Sequence, residues 1–106
     1  MNKPETGAYY YHYKHDPGGE VNNYAYEIMN IAHHTEIDGL DESAMVIYAP
    51  LYEAFVYNNG KHWDARPLSM FMQEVEKDGK KFQRFTKIID REIITKLDQI
   101  KKELYS

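Results

Sequence analysis

The dipeptide Asp78-Gly79 constrains the fold of this chain more than any other feature, because strand-like runs flank it on both sides. Asp-Gly in this setting indicates a two-residue β-hairpin, since both central residues of a type I′ turn need a positive φ. The segment Trp63–Phe71, shortly before it, brings together the single Trp, a Pro-containing turn and a Met-Phe pair. These features predict a small antiparallel domain that is rich in β structure.

Alternating apolar and polar residues predict further strands ahead of the hairpin, at residues 9–14, 24–36, 43–48 and 62–66. In the second of these, Asn30 marks a candidate bulge or bend. Residues 51–57 fit either a strand or one helical turn, and the pattern does not decide between them. Within the second strand, one parity of the sequence places five residues on one face of the sheet: Tyr26, Ile28, Ala32, His34 and Glu36.

The period changes to about 3.6 residues after Thr86, which predicts a C-terminal amphipathic helix within residues 87–105. Its apolar stripe needs a cover, which is either the β domain or a second copy of the helix. We expect the first two residues of the stripe to dock on the domain and the last two to contact a second chain in a homodimer. The stripe consists of Ile89, Ile93, Leu97, Ile100 and Leu104.

Several phrases of the sequence, taken in order, resemble the DUF1653 family of small uncharacterised bacterial proteins. The resemblance covers residues 8–86 and implies a small SH3-like antiparallel β-barrel, which the C-terminal helix follows outside the shared core. It implies no activity, and the turn after Lys14 is longer than the short Gly-containing connection of the family. The phrases are Tyr10-x-His12-Tyr13-Lys14, Tyr26-Glu27-Ile28-x-x-x-Ala32-x-His34-x-Glu36, Val46-x-Tyr48-x-x-Leu51-Tyr52, Trp63-x-x-Arg66-Pro67-x-x-Met70-Phe71-x-x-x-Val75, Asp78-Gly79-Lys80 and Arg84-Phe85.

The amino-acid composition excludes several classes of protein function. The 106 residues contain no Cys, which excludes disulfides and thiolate chemistry and fits a cytoplasmic protein. We expect no membrane segment, because no apolar run approaches the roughly 20 residues of a span and no signal peptide is recognisable. The net charge of −4 argues against DNA or RNA binding, because an acidic protein repels the phosphate backbone. The basic residues around the hairpin are best interpreted as charges that protect a sheet edge, with RNA or nucleotide binding as a weaker alternative.

Three constellations are candidates for chemistry. His12, His34, Glu36 and His62 have the ligand types of a divalent metal site, although no helical His-x-x-x-His signature supports one. His34, Glu36 and Arg66 form either a polar site or a structural network in which Arg66 pairs with Glu36 and stacks on Trp63.

The third constellation is the tyrosine-rich surface, because aromatic clefts of SH3-like barrels bind extended peptides or cationic groups. The sequence therefore predicts a non-enzymatic binding module for a peptide or small polar ligand, with no cofactor, no metal and no catalytic residue. A small metal-dependent or His/Glu-based enzyme is the alternative. The candidate ligand-binding residues are His12, His34, Glu36, Tyr48, Trp63 and Arg66.

Overall fold

The computed structural model describes residues 3–53 and 63–105, with the side chains of positions 40 and 41 excepted. The predictions for His62, and for most of residues 51–60, therefore lie outside the described residues. None of the described helices is long and apolar enough to cross a membrane. The elements are β1 (Tyr9–His12), β2 (Ala25–His33), α1 (Leu40–Ser43), β3 (Ala44–Pro50), β4 (Asp64–Pro67), α2 (Leu68–Phe71), β5 (Glu74–Lys77), β6 (Lys80–Gln83), β7 (Phe85–Lys87) and α3 (Arg91–Leu104).

The strands form two antiparallel sheets. Five strands pair in the order β4-β3-β2-β1-β7, and β5 and β6 form a separate two-stranded sheet. Asp78 and Gly79 connect β5 to β6 with φ values of 54° and 76°, as a type I′ turn requires. The predicted hairpin is confirmed, as is the mainly β fold with antiparallel sheets and a C-terminal helix.

A bulge interrupts β2 close to the predicted position. Ile28 pairs with Tyr48 and Asn30 pairs with Ile47, so Met29 is the extra residue between them. An extra residue exchanges the two faces of a strand from that point onward. Ile31 therefore packs against the same cluster as Ile28.

The shared face predicted for Tyr26, Ile28, Ala32, His34 and Glu36 is consequently wrong. Ala32 lies beyond the bulge and is exposed. The strand itself ends at His33, so the last two residues of the set are in a turn.

The five-stranded sheet buries apolar side chains on both faces. Its inner face carries an aromatic cluster to which α2 also contributes, and its outer face packs against α3. The fully or largely buried members of the inner cluster are Tyr10, Tyr26, Ile28, Ala44, Val46, Tyr48, Leu68, Phe71 and Phe85. Those of the outer cluster are Tyr9, Ala25, Leu51, Ile88 and Leu97.

Helix α3 begins at Arg91, two residues after the first residue of the predicted apolar stripe. The Asp90 carboxylate accepts hydrogen bonds from the amides of Glu92 and Ile93 and so caps the helix. Ile89 precedes this cap and is 80% exposed, so the expectation that it docks on the β domain is wrong. Ile93, Ile94 and Ile100 instead pack against the outer cluster around Leu97.

Polar contacts join α3 to the sheet as well. The Lys101 ammonium forms an ion pair with Glu27 at 2.8 Å, and the Tyr9 hydroxyl donates to Asp98. The Tyr105 hydroxyl donates to the carbonyl oxygen of Pro50 at 2.5 Å. The helix therefore occupies the outer face of the sheet and leaves the aromatic inner face uncovered by it.

Candidate functional site

The inner face of the sheet is a packed set of aromatic rings with Phe85 at its centre. Phe85 stacks on Phe71 with ring centroids 4.1 Å apart and planes 5° from parallel. Tyr26 and Tyr48 contact the Phe85 ring edge to face at 5.8 and 5.5 Å. Such ring pairs add rigidity beyond the area that they bury. The result is a firm aromatic floor beneath the polar groups described next.

Arg66 reaches this floor from the edge strand β4. It pairs across the sheet with Val46, a member of the inner cluster. Its Nε donates to the Tyr48 hydroxyl at 3.2 Å, and its Cζ lies 5.5 Å from the centre of the Phe85 ring. Within residues 3–53 and 63–105, no carboxylate forms an ion pair with Arg66. The guanidinium is thus positioned by neutral partners, and its terminal nitrogens remain donors without a described carboxylate.

His12 lies at the same end of the inner face and is nearly buried. Its ring meets the Phe85 ring edge to face at 5.0 Å. Burial, together with the smaller effect of the positive charges of Arg66, Lys14 and Arg84, lowers the pKa of His12 from 6.5 to about 4. Its Nδ1 accepts a hydrogen bond from the Lys14 amide at 3.2 Å. The ring is therefore neutral at pH 7 with its proton on Nε2, and it is a hydrogen-bond donor.

Arg84 adds a third cationic group next to this end. Its backbone amide donates to Gln73 and its carbonyl accepts from Tyr13, which ties the end of β6 to both neighbouring segments. Its Nη2 donates to the Gln73 side chain at 3.4 Å, whereas its buried Nε has no hydrogen-bond partner. The potential around His12 is thus positive on a chain whose net charge is −4.

A cavity of about 470 Å³ is lined in part by Tyr24, whose ring contacts His12. The Tyr24 ring stacks near His12 at 5.7 Å and approaches the Tyr52 ring at 5.9 Å. The hydroxyls of Tyr26 and Tyr52 are hydrogen-bonded at 2.5 Å. The residues that line the cavity are Glu20, Asn22, Asn23, Tyr24, Tyr52 and Glu53.

Three of the six predicted site residues therefore come together: His12, Tyr48 and Arg66. His34 and Glu36 do not join them. They lie in the exposed turn after β2, where the Glu36 amide donates to His34 Nδ1 at 3.2 Å. His12 is beside the start of β2, because its amide donates to the carbonyl oxygen of Tyr24, and His34 follows the other end of that strand.

The suggested network of Arg66 with Glu36 and Trp63 is accordingly absent from the described part of the chain. Among the described residues no group of three His, Asp or Glu side chains could hold a metal ion. The metal-dependent alternative, which needs His12, His34 and Glu36 at one point, finds no support in this placement.

Trp63 also lies apart from Arg66. It lines a cavity of about 110 Å³ with Met29, Ala49, Lys101 and Tyr105, of which Lys101 belongs to helix α3 and Tyr105 caps it. The Trp63 side chain is 56% exposed. It therefore belongs to the outer side of the sheet, and the inner site does not use it.

Sequence reasoning missed Phe85 and Tyr24 as site residues. Phe85 is the first residue of the short strand β7, which pairs with β1. The sequence pattern did not predict this strand, because the apolar spacing changes to a helical period directly after it. Tyr24 has a positive φ of 53°, which is uncommon for a non-Gly residue and which no sequence signal announces. The run Arg84-Phe85 within the family resemblance was the available signal for the first.

The fold and this site define a small antiparallel β domain with an aromatic inner face and a helix on the opposite face. The chain belongs to the DUF1653 family, described as a protein of unknown function, whose model matches residues 8–87. Helix α3 follows the matched region. No curated protein and no solved structure matches the chain.

Proposed function

We propose that this domain is a non-enzymatic binding module that takes the carboxylate of a small polar ligand or of a peptide on its inner face. The observation that carries the proposal is the setting of Arg66. Its guanidinium lies over the Phe85 ring and is oriented by the Tyr48 hydroxyl. A guanidinium held in one orientation presents a planar pair of N–H donors that matches a carboxylate.

The neighbouring groups support an anion at this position. Arg66, Lys14 and Arg84 make the local potential positive, and their charges add to burial in lowering the pKa of His12. The neutral His12 ring offers an Nε2–H donor without adding a further charge. The aromatic rings around Phe85 are buried, and they hold these donors in place from below. The arrangement suits recognition, since it presents hydrogen-bond donors on a rigid support.

We also propose that the strands curl into an SH3-like barrel around the inner cluster. The supporting observation is the link at Arg84, whose backbone joins the hairpin to Gln73 on one side and to Tyr13 on the other. These bonds tie the end of the two-stranded sheet to the residues after α2 and to the residue after β1, and this link supports the proposal that the hairpin closes the barrel.

The test is a binding measurement with paired probes that differ only in the carboxylate. N-acetyl-phenylalanine and its C-terminal amide are titrated into the protein and followed by NMR. We expect the acid to bind at least about tenfold more tightly than the amide, as for a charge-assisted hydrogen-bonded pair. Resonances of Tyr48, Arg66 and Phe85 should shift. Equal binding of acid and amide would contradict the proposal.

Variants of Arg66 locate the effect. Arg66→Gln should remove the preference for the acid, and Arg66→Lys should keep only part of it because Lys lacks the planar fork. Arg91→Gln, at an exposed position in the first turn of α3, is the matched control and should behave as the parent. A preference that survives in Arg66→Gln would place the anion site elsewhere.

A further inference from the structure

We infer that the cavity between Tyr24 and Tyr52 is a second binding site, and that it takes a methylated ammonium group. This goes beyond the carboxylate site at Arg66 and does not depend on it. The two rings lie 5.9 Å apart with 45° between their planes, so they form two walls of a corner. A cation within about 6 Å of an aromatic ring is attracted by the negative face of that ring.

The composition of the cavity favours a cation over an anion. Its described lining residues include two carboxylates, those of Glu20 and Glu53, and no Lys or Arg. The volume of about 470 Å³ falls in the range of small-ligand pockets. Burial raises the pKa of the Tyr52 hydroxyl, the hydrogen bond with Tyr26 lowers it, and the negative charge of Asp64 raises it, so Asp64 adds to the negative charge of the two carboxylates near this ring. The electrostatic potential along the inner face therefore changes from positive near His12 to negative near Tyr52.

The corner is built in advance, because several contacts fix its walls. Tyr24 adopts a left-handed backbone with φ of 53°, which is uncommon for a residue other than Gly. That conformation is held by the hydrogen bond from the His12 amide to the Tyr24 carbonyl at 3.0 Å. Tyr52 is held through its hydroxyl by Tyr26. Asn22 Nδ2 donates to the Leu51 carbonyl at 2.7 Å and fixes the rim.

The openness of this corner selects among cations. The Tyr24 side chain is 38% exposed, so solvent reaches the site. A primary ammonium is strongly hydrated and gains little by leaving water for such a corner. A methylated ammonium is more weakly hydrated and presents methyl groups to the rings. Methylation therefore converts the same charge into a better ligand for two aromatic walls flanked by carboxylates.

The experiment compares choline with 3,3-dimethylbutan-1-ol, which has the same shape with carbon in place of nitrogen. Both are titrated into the protein and followed by NMR. We expect choline to shift the resonances of Tyr24 and Tyr52 saturably and to bind at least about tenfold more tightly than the neutral isostere. No saturable shift with choline, or equal binding of the two compounds, overturns the inference.

Three variants make the result specific. Tyr24→Asn should abolish choline binding while the protein stays folded, because Asn tolerates a positive φ. Glu20→Gln should weaken binding about two- to fivefold, and Glu76→Gln on the exposed hairpin is its matched control. Arg66→Gln should leave choline binding unchanged. Choline binding that persists in Tyr24→Asn overturns the inference, whereas loss of carboxylate binding in Arg66→Gln concerns the other site alone.

A final comparison separates the two sources of this chemistry. Acetylated trimethyllysine methylamide and acetylated lysine methylamide are titrated beside choline. A trimethyllysine affinity well above that of choline identifies the methylated side chain of a protein as the ligand class. Similar affinities identify a free small quaternary amine. Unmethylated lysine that binds as tightly as the trimethylated form contradicts the argument from hydration.

Discussion

Phe85 is the residue through which packing and the proposed function are connected. Its ring supports the Arg66 guanidinium on one side and stacks against Phe71 on the other. His12, Tyr26 and Tyr48 contact its remaining surface. Any change that shifts this ring therefore moves the donors of the carboxylate site as well, so stability and binding should respond together at this position.

The two aromatic residues at the ends of the segment Trp63–Phe71 should differ sharply in their effect on stability. Phe71 is 1% exposed and stacked, so Phe71→Ala should lower the free energy of unfolding by about 3–5 kcal/mol. Trp63 is 56% exposed, so Trp63→Ala should lower it by about 1 kcal/mol. Urea denaturation of both variants gives the comparison. A Trp63→Ala loss as large as that of Phe71→Ala would show that Trp63 is packed in solution.

His12 should make stability depend on pH below neutrality. Its pKa is 6.5 in an unfolded chain and about 4 in the folded protein, so the unfolded state binds the proton more readily between those values. The stability that neutral His12 contributes is complete above pH 6.5 and is lost as the pH falls towards 4. Urea denaturation at pH 7.5, 6, 5 and 4 should show a steeper fall for the parent than for His12→Gln. Parallel curves for the two proteins would contradict the lowered pKa.

At the scale of the elements, helix α3 shows what periodicity predicts and what it leaves out. The apolar period correctly indicated one helix with a buried stripe, because amphipathic spacing follows from the geometry of any packed helix. It placed Ile89 in the stripe, although the cap at Asp90 sets that residue outside the helix. Because of the Asp90 cap, Ile94 and not Ile89 is among the residues that pack on the sheet. The homodimer through Ile100 and Leu104 stays a prediction.

Two substitutions test which residues hold α3 on the sheet. Leu97→Ala should lower the free energy of unfolding by about 2–5 kcal/mol, because Leu97 is fully buried in the outer cluster. Ile89→Ala is the matched control and should change it by less than about 0.5 kcal/mol at 80% exposure. Thermal or urea denaturation measures both. An Ile89→Ala effect equal to that of Leu97→Ala would place the docked face where the sequence pattern first suggested.

The bulge in β2 and the end of this strand at His33 explain why His34 and Glu36 do not join the predicted site. The position of the bulge near Asn30 was predictable from the sequence. The prediction did not exchange the two strand faces for the residues that follow the bulge. Because one inserted residue reverses the faces, local alternation could not place His34 and Glu36. His12, Tyr48 and Arg66 meet through pairing between strands that are distant in sequence, and such registers are set by tertiary packing.

In the whole molecule, the two faces of the five-stranded sheet have different surroundings. Its outer face is covered by α3, which follows the region matched by the family model. Its inner face carries the aromatic cluster, with positive groups around His12 and carboxylates around Tyr24 and Tyr52. The hairpin and the fold class were readable from turn chemistry and alternation. The change in sign of the electrostatic potential along the inner face could not be predicted from the sequence, because it arises from groups contributed by several strands and loops.

The most direct test of this account is an NMR map of fragment binding on the parent protein. Small anionic, cationic and neutral fragments are screened separately, and the shifted resonances are assigned to residues. Anionic fragments are expected to shift the resonances of Tyr48, Arg66 and Phe85, and methylated cations those of Tyr24 and Tyr52. Fragments of both charges that collect around Trp63 and Met29 on the outer side, or that bind without regard to charge, would contradict both proposed sites.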